Sequence, residues 1–179
     1  MMKIILLAAG RGKRFGRRTA LLPKCLIPLG GGQTLLRRYL DTFRTLGLRD
    51  VVIVVGHQKA RIKRACLRWA GGLTVRFVDN PRYRLGSIVS LWQARQELDT
   101  DCVIMDADVF FSPNALKPLI NAKGSAFLMD PSSKSSGEEM MLMARGDRLV
   151  KIAKRTDPSL KIKGEATGFL KLTARDAKT

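Results

Sequence analysis

IILLAAGRGKRFGRRTALLPKCL, residues 4–26, opens as a run of apolar residues too short to cross a membrane and breaks at Gly10. It then presents Arg11, Lys13, Arg14, Arg17 and Arg18 before Pro23 and Lys24. A buried strand that empties into a glycine-rich, cationic loop is what an α/β protein builds where it binds phosphate. Glycine lets the backbone approach a ligand closely, and unpaired amides with guanidinium and ammonium charges favour the anion. The stretch therefore predicts a phosphate-binding loop.

Two common loops do not fit. A dinucleotide fingerprint needs G-x-G-x-x-G, and after Gly10 and Gly12 the third glycine position holds Phe15, with Gly16 one residue late. A P-loop needs two glycines five apart followed by Lys and Ser or Thr, whereas Gly10 and Gly16 stand six apart and Arg17 and Arg18 follow.

The rest of the chain bounds the answer. Its 179 residues suffice for one domain with a real core, which the sequence places over 1–179, in two halves at 1–112 and 113–179. The net charge of +18 points to anionic partners, but the basic residues are spread out and carry little of the aromatic interleaving that single-strand binders use. Three separated cysteines, Cys25, Cys66 and Cys102, suit a reducing cytoplasm better than a disulfide framework or zinc site. The N-terminus reads without a cleavable signal and no run reaches membrane-spanning length, so a cytoplasmic location without a membrane partner is expected. His57 is the only histidine and is assigned to structure, and no serine sits in a G-x-S-x-G elbow, which excludes triad hydrolysis.

Apolar runs at 2–8, 51–55, 73–78 and 102–105 read as buried strands. Between them, Leu35, Leu36, Tyr39, Leu40, Phe43 and Leu46 form a helical stripe ending at Gly47, and residues 58–69 form a second helix with Ile62, Ala65, Cys66 and Trp69 inward. Ser87 is placed to cap a third, with Ile88, Leu91, Trp92, Arg95 and Leu98 as its stripe. The alternation predicts an α/β fold with a mostly parallel sheet. After a short helix at 114–121, strands at 125–129, 138–144, 149–154 and 164–172 would form the far edge of the sheet and a lobe facing the first half.

The fourth strand delivers Asp106 and Asp108 to its C-terminal end, where open α/β sheets bind their ligands. Two apart in extended geometry, both side chains lean the same way and can share a ligand. Magnesium prefers carboxylates, keeps several waters and bridges to substrate phosphates. The plain alternative is that both cap the following turn.

Leu7-Ala8-Ala9-Gly10-Arg11-Gly12-Lys13-Arg14-Phe15, followed by Pro23-Lys24-Cys25-Leu26, resembles the signature of the nucleotidyltransferases that activate sugar phosphates and phosphocholine, with Lys13 in place of a small hydroxyl residue. The resemblance implies a Rossmann-like three-layer sandwich of the nucleotide-diphospho-sugar transferase type. It implies Arg14 and Lys24 on the phosphates, Leu7, Ala8, Ala9, Gly10, Gly12 and Lys13 around the nucleotide, and Asp108, with Asp106, on Mg²⁺. Asn80-Pro81-Arg82-Tyr83 and Gly86-Ser87-Ile88-Val89-Ser90-Leu91-Trp92 resemble the segment beside the base, which assigns Asn80, Gly86 and Ser87 to the nucleotide and moves the reading toward cytidylyltransferases of small amine phosphates or phosphonates. Lys154 and the GEATGF segment at 164–169 resemble later family segments on the acceptor side, with Lys154 near the phosphates and Glu165 beside a cationic head group.

The implied reaction is attack of a phosphate or phosphonate oxygen on the α-phosphorus of an NTP, CTP foremost, with release of pyrophosphate. Partners would be the NTP and a small phosphorylated acceptor such as phosphocholine; a homodimer is allowed, and nucleic acid is not expected despite the charge. Family members usually continue for several tens of residues past the equivalent of Thr179, with a further metal-binding acid, so the chain is read as a fragment or a compact variant. Two rivals stay open: a sugar-1-phosphate or molybdopterin nucleotidyltransferase, and a non-catalytic binder of nucleotide or nucleic acid.

Overall fold

The computed structural model describes residues 2–12, 22–133, 137 and 139–178. Strand β1 (Lys3–Ala8) is followed by a 3-10 turn over Lys24–Leu26, a small hairpin of β2 (Pro28–Gly30) and β3 (Gln33–Thr34), and helix α1 (Leu35–Thr45). Then come β4 (Asp50–Val55), α2 (Lys59–Trp69), β5 (Thr74–Asp79), α3 (Ser87–Gln93), β6 (Cys102–Asp106) and α4 (Leu116–Asn121). Four more strands close the chain: β7 (Ala126–Asp130), β8 (Met141–Arg145), β9 (Arg148–Ala153) and the twelve-residue β10 (Lys161–Leu172).

Eight of the strands form one sheet in the order β5-β4-β1-β6-β10-β8-β9, with β7 paired to β10. β1, β4, β5 and β6 run parallel, whereas β10 lies antiparallel to β6, β7 and β8. Because alternate residues of a strand face opposite ways, the central strands are apolar on both sides. Ile4, Leu6, Val51, Ile53, Val103 and Met105 pack with α1, α2 and α4. Ile5, Val52, Val54 and Ile104 pack with Ala94, Leu91 and Leu98 on the other face. Helices cover both faces of the sheet, so the expected three-layer sandwich is the observed one.

Helix α1 shows how local chemistry fixes these elements. Thr34 caps its start by accepting from the Arg37 amide at 3.2 Å. At its end, Gly47 at φ +72° lets its own amide reach the Arg44 carbonyl and the Leu48 amide reach the Phe43 carbonyl, which satisfies two orphan carbonyls. The third helix departs from expectation. Ser87 is its first residue and makes no capping bond, and Gly86 holds the cap position. It ends after seven residues, so its inward positions are Ser90 and Leu91 with the following Ala94, while Ile88 and Trp92 lie outward at 71% and 60% exposure. Trp92 is not a core residue; Arg95 stacks on its ring at 4.8 Å.

Strand order sets the position of any ligand. The chain steps from β1 outward through β4 to β5, then returns to place β6 on the other side of β1. That reversal opens a crevice beyond the C-terminal ends of β1 and β6, the place where such sheets hold ligands.

Candidate active site

A cleft of about 340 Å³ occupies this crevice. One wall is the end of β1 and the start of the glycine loop, with Leu7, Ala8, Ala9, Gly10 and Gly12. The opposite wall is Asp106, Ala107 and Asp108, and Pro23, Lys24 and Cys25 close one side. The start of the glycine loop, Lys24 and the acids at the end of β6 therefore face a common space. The two walls are tied by the backbone, since the Ala107 amide donates to the Leu7 carbonyl at 3.1 Å.

Lys24 donates from Nζ to Asp108 Oδ2 at 2.7 Å, a pair open to solvent on both sides. β6 ends at Asp106, so Asp108 stands in the turn beyond the strand rather than in extended geometry beside Asp106. Asp106 is the deeper of the two. Burial pushes its carboxyl up to about 6, the Asp108 charge adds to the rise, and Lys24 partly offsets it. The Cys25 thiol below Lys24 is pushed by burial up to about 12, which leaves it protonated and unreactive. The turn after β6 is held from beneath by Tyr39 of α1, fully buried, whose hydroxyl lies 2.6 Å from the Asp106 carbonyl and 2.9 Å from the Val109 carbonyl. Phe111 and Phe169 pack edge-on against the Tyr39 ring.

The far end of the cleft is bounded by Tyr83, Gly86, Ser87 and Ser90. Tyr83 was not singled out as a site residue by sequence, yet its ring forms this wall beside His57, centroid to centroid 5.9 Å. Gly56 makes room for it: a Cβ there would stand 2.6 Å from Tyr83 Cβ and 3.0 Å from the Ala9 carbonyl. His57 serves the backbone, its amide donating to Ala9 at 3.1 Å. Asn80, assigned to the nucleotide by resemblance, lies under the wall at 1% exposure. Its amide nitrogen donates to Ser90 Oγ at 2.9 Å and its oxygen accepts from the Arg82 amide at 2.8 Å. Both ends of the side chain take part in holding the loop that carries Tyr83.

Lys154 and Glu165 do not line this cleft. Glu165 pairs with Met141 and Asp130 across the sheet and accepts from Ser133 Oγ at 2.6 Å. Lys154 follows the end of β9, where Ala153 pairs with Met141. Because β10 runs against β6, both residues stand on the same rim of the sheet as Asp106, farther along it. Lys13 and Arg14 lie outside the described residues.

No cluster of three or more His, Cys, Asp or Glu side chains able to hold a metal occurs among the described residues. Two carboxylates bordering an open cleft, one of them held against ionisation by burial and by the charge of the other, nevertheless fit a magnesium ion, which takes one or two carboxylates and completes its shell with water and substrate phosphate. Asp106 and Asp108 are the residues that would hold it.

Residues 4–159 match the family described as MobA-like NTP transferase domain. The chain belongs to that family. It is 31% identical over 122 residues to the CMP-5'-(3-aminopropyl)phosphonate synthase of Streptomyces rubellomurinus, covering 68% of this chain and 19% of that protein. It is 31% identical over 190 aligned positions to the bifunctional IPC transferase and DIPP synthase of Rubrobacter xylanophilus, covering 96% of this chain and 42% of that protein. The chain thus spans less than half the length of these two relatives. In fold, the MobA-like chain is similar to the inositol-1-phosphate CTP transferase from T. maritima, with a TM-score of 0.79 at 23% identity over 99% of this chain and 73% of that one.

Proposed function

We propose that the chain transfers a nucleoside monophosphate from an NTP, CTP foremost, to a small phosphorylated or phosphonate acceptor and releases pyrophosphate. The observation that carries this reading is the single crevice shared by the start of the glycine loop, Lys24 and the two acids at the end of β6. The phosphonate synthase relative, whose name specifies a CMP product, supports the choice of base and of acceptor class.

In this reading an acceptor oxygen, already ionised near neutral pH, bonds to the α-phosphorus while the bond from that phosphorus to the bridging oxygen breaks and pyrophosphate leaves. No general base is needed. Phosphoryl-type transfers of this kind depend on positioning and charge neutralisation more than on covalent chemistry by the protein. The backbone of Gly10 and Gly12 lets the triphosphate tail come close, and Lys24 neutralises it; Arg14 and Lys13, by family resemblance, add charge. Tyr83 offers an aromatic wall to the base, with Gly86 and Ser87 beside it. A magnesium ion held by Asp106 and Asp108 would supply further neutralisation of phosphate oxygens. Lys154 and Glu165, on the same rim, would meet the acceptor.

The test is a pyrophosphate-release assay crossing CTP, UTP, GTP and ATP with phosphocholine, 3-aminopropylphosphonate, inositol 1-phosphate and hexose 1-phosphates. Fastest release is expected for CTP with one of the first three acceptors. Preference for UTP or GTP with a hexose 1-phosphate would move the chain to the sugar-activating branch. Silence across all combinations, with salt-sensitive binding to RNA or DNA, would replace the enzymatic reading by a binding one.

A further inference from the structure

We infer that Gly168 is a positioning residue: a bulge in β10 presses the backbone at Gly168 onto the Asp106 carboxylate and so fixes that acid at the cleft. The inference deepens the proposed function by coupling the strand on the acceptor side to the acid that would hold the metal.

Three observations carry it. β10 pairs with β7 through Ala166 opposite Met129 and resumes at Phe169 opposite Leu128, so Thr167 and Gly168 are extra residues in the ladder. Gly168 lies at φ +83°, in the left-handed region where glycine is favoured. A Cβ built there would stand 2.7 Å from Asp106 Oδ2 and 3.3 Å from both Asp106 Cβ and Cγ.

The bulge has little room to yield. Thr167 donates from its hydroxyl to the Leu128 carbonyl at 2.9 Å on one side. On the other, buried Phe169 pairs with Met105, the neighbour of Asp106, and its ring packs against Phe111 at 5.0 Å. With both flanks anchored, a methyl group at position 168 displaces the carboxylate rather than the strand. The Asp106 side chain would then turn from the orientation it now holds, and Glu165, three residues earlier on the same strand, shares whatever shift the strand does make.

A thermal double-mutant cycle tests the contact without any ligand, using Gly168→Ala, Asp106→Ala and the two combined. Gly146, also at positive φ but with open space around it, provides Gly146→Ala as the control for the backbone conformation alone. We expect Gly168→Ala to lower Tm well beyond Gly146→Ala, and to lower it by much less when Asp106 is already Ala. Equal losses in both backgrounds overturn the inference. Should Gly168→Ala fail to fold, folding of the combined variant supports it and failure of both overturns it.

The link to the metal is read by titrating Mn²⁺ against the purified chain. Gly168→Ala should weaken binding at least fivefold and Gly146→Ala by less than twofold; unchanged Mn²⁺ binding in Gly168→Ala overturns the positioning role. If the unaltered chain binds no Mn²⁺, the metal assignment of the proposed function fails, and the thermal cycle alone decides the Gly168 contact.

Discussion

Lys24 and Asp108, 84 positions apart in the chain, meet through a 2.7 Å ion pair that joins the segment after the glycine loop to the turn after β6. Both are open to solvent, so the pair contributes little to stability. Its value lies in placing one cation and one anion at the mouth of the same cleft. Lys24→Ala and Asp108→Ala should each keep the thermal transition within a few degrees of the parent while lowering pyrophosphate release by about two to three orders of magnitude, the usual cost of losing one electrostatic stabiliser. Near-normal turnover by either purified variant would remove that residue from the mechanism.

Asp106 gives stability a distinctive pH dependence. Its carboxyl titrates at about 6 in the folded chain against an ordinary value of 3.8, so the folded state prefers the protonated form. That preference is fully present below about 3.8 and is lost as pH rises through 6. Near neutral pH the charged acid therefore costs at most about 3 kcal/mol. Asp106→Asn should melt higher than the parent at pH 7.5, and the gap should close by pH 4. Melting curves at pH 4, 5.5 and 7.5 check this.

Removal of the Tyr39 hydroxyl tests the support under the turn. Tyr39→Phe keeps the ring contacts with Phe111 and Phe169 but leaves the carbonyls of Asp106 and Val109 without that donor. A loss of about 1–3 kcal/mol is expected by chemical denaturation. A rate lowered with little change in nucleotide KM would show that the hydroxyl acts through the placement of the acids.

Tyr83 should affect nucleotide affinity more than turnover. Tyr83→Ala is expected to raise the NTP KM about tenfold, in line with the loss of one aromatic stacking contact. Gly56→Ala, which drives a methyl into Tyr83, should act in the same direction. An unchanged KM in both variants would remove the base from this wall.

At the opposite edge of the sheet, buried Lys3 donates to Glu97 at 3.0 Å and Asp99 at 2.6 Å, and Arg76 joins Glu97 to Asp50. Burial works against the Glu97 charge, but bonds from Lys3 and Arg76 outweigh it and hold its carboxyl below the usual value. The stabilisation is present above the ordinary value of 4.5 and is lost as pH falls through the folded one. Glu97→Gln should lower Tm at pH 7, with the difference shrinking toward pH 3, and leave pyrophosphate release within twofold.

Much of this arrangement was readable in the residues because it follows from periodicity. The apolar runs of β1, β4 and β6 have no polar face, and only a sheet covered on both sides buries them. The glycine loop and the Asp106-Ala107-Asp108 turn then fall at strand ends by position alone. What stayed hidden depends on spatial neighbours. The bonds of Asn80 to Ser90 and to the Arg82 backbone are not legible in sequence, because a buried amide that ties a loop has the same letter as one facing a nucleotide. The stripe of α3 departs from the sequence pattern because the helix stops after seven residues and a 3-10 turn at Arg95–Glu97 follows, which rotates later positions off the helical period. The role of Tyr83 as a wall is not legible in its motif, since Gly56, 27 positions earlier, creates the space it fills. β2 and β3 are too short to register as strands by pattern.

The antiparallel course of β10 also brings its end beside the start of β1. Leu172 pairs with Cys102, the same residue that pairs with Lys3, and the Ala174 amide reaches Asp101 Oδ1 at 3.0 Å. Residues 2 and 174 thus leave the sheet together at the edge away from the cleft. A fluorophore on residue 2 or 174 would stand at the rim of the sheet opposite the cleft, so labelling there should leave pyrophosphate release unchanged.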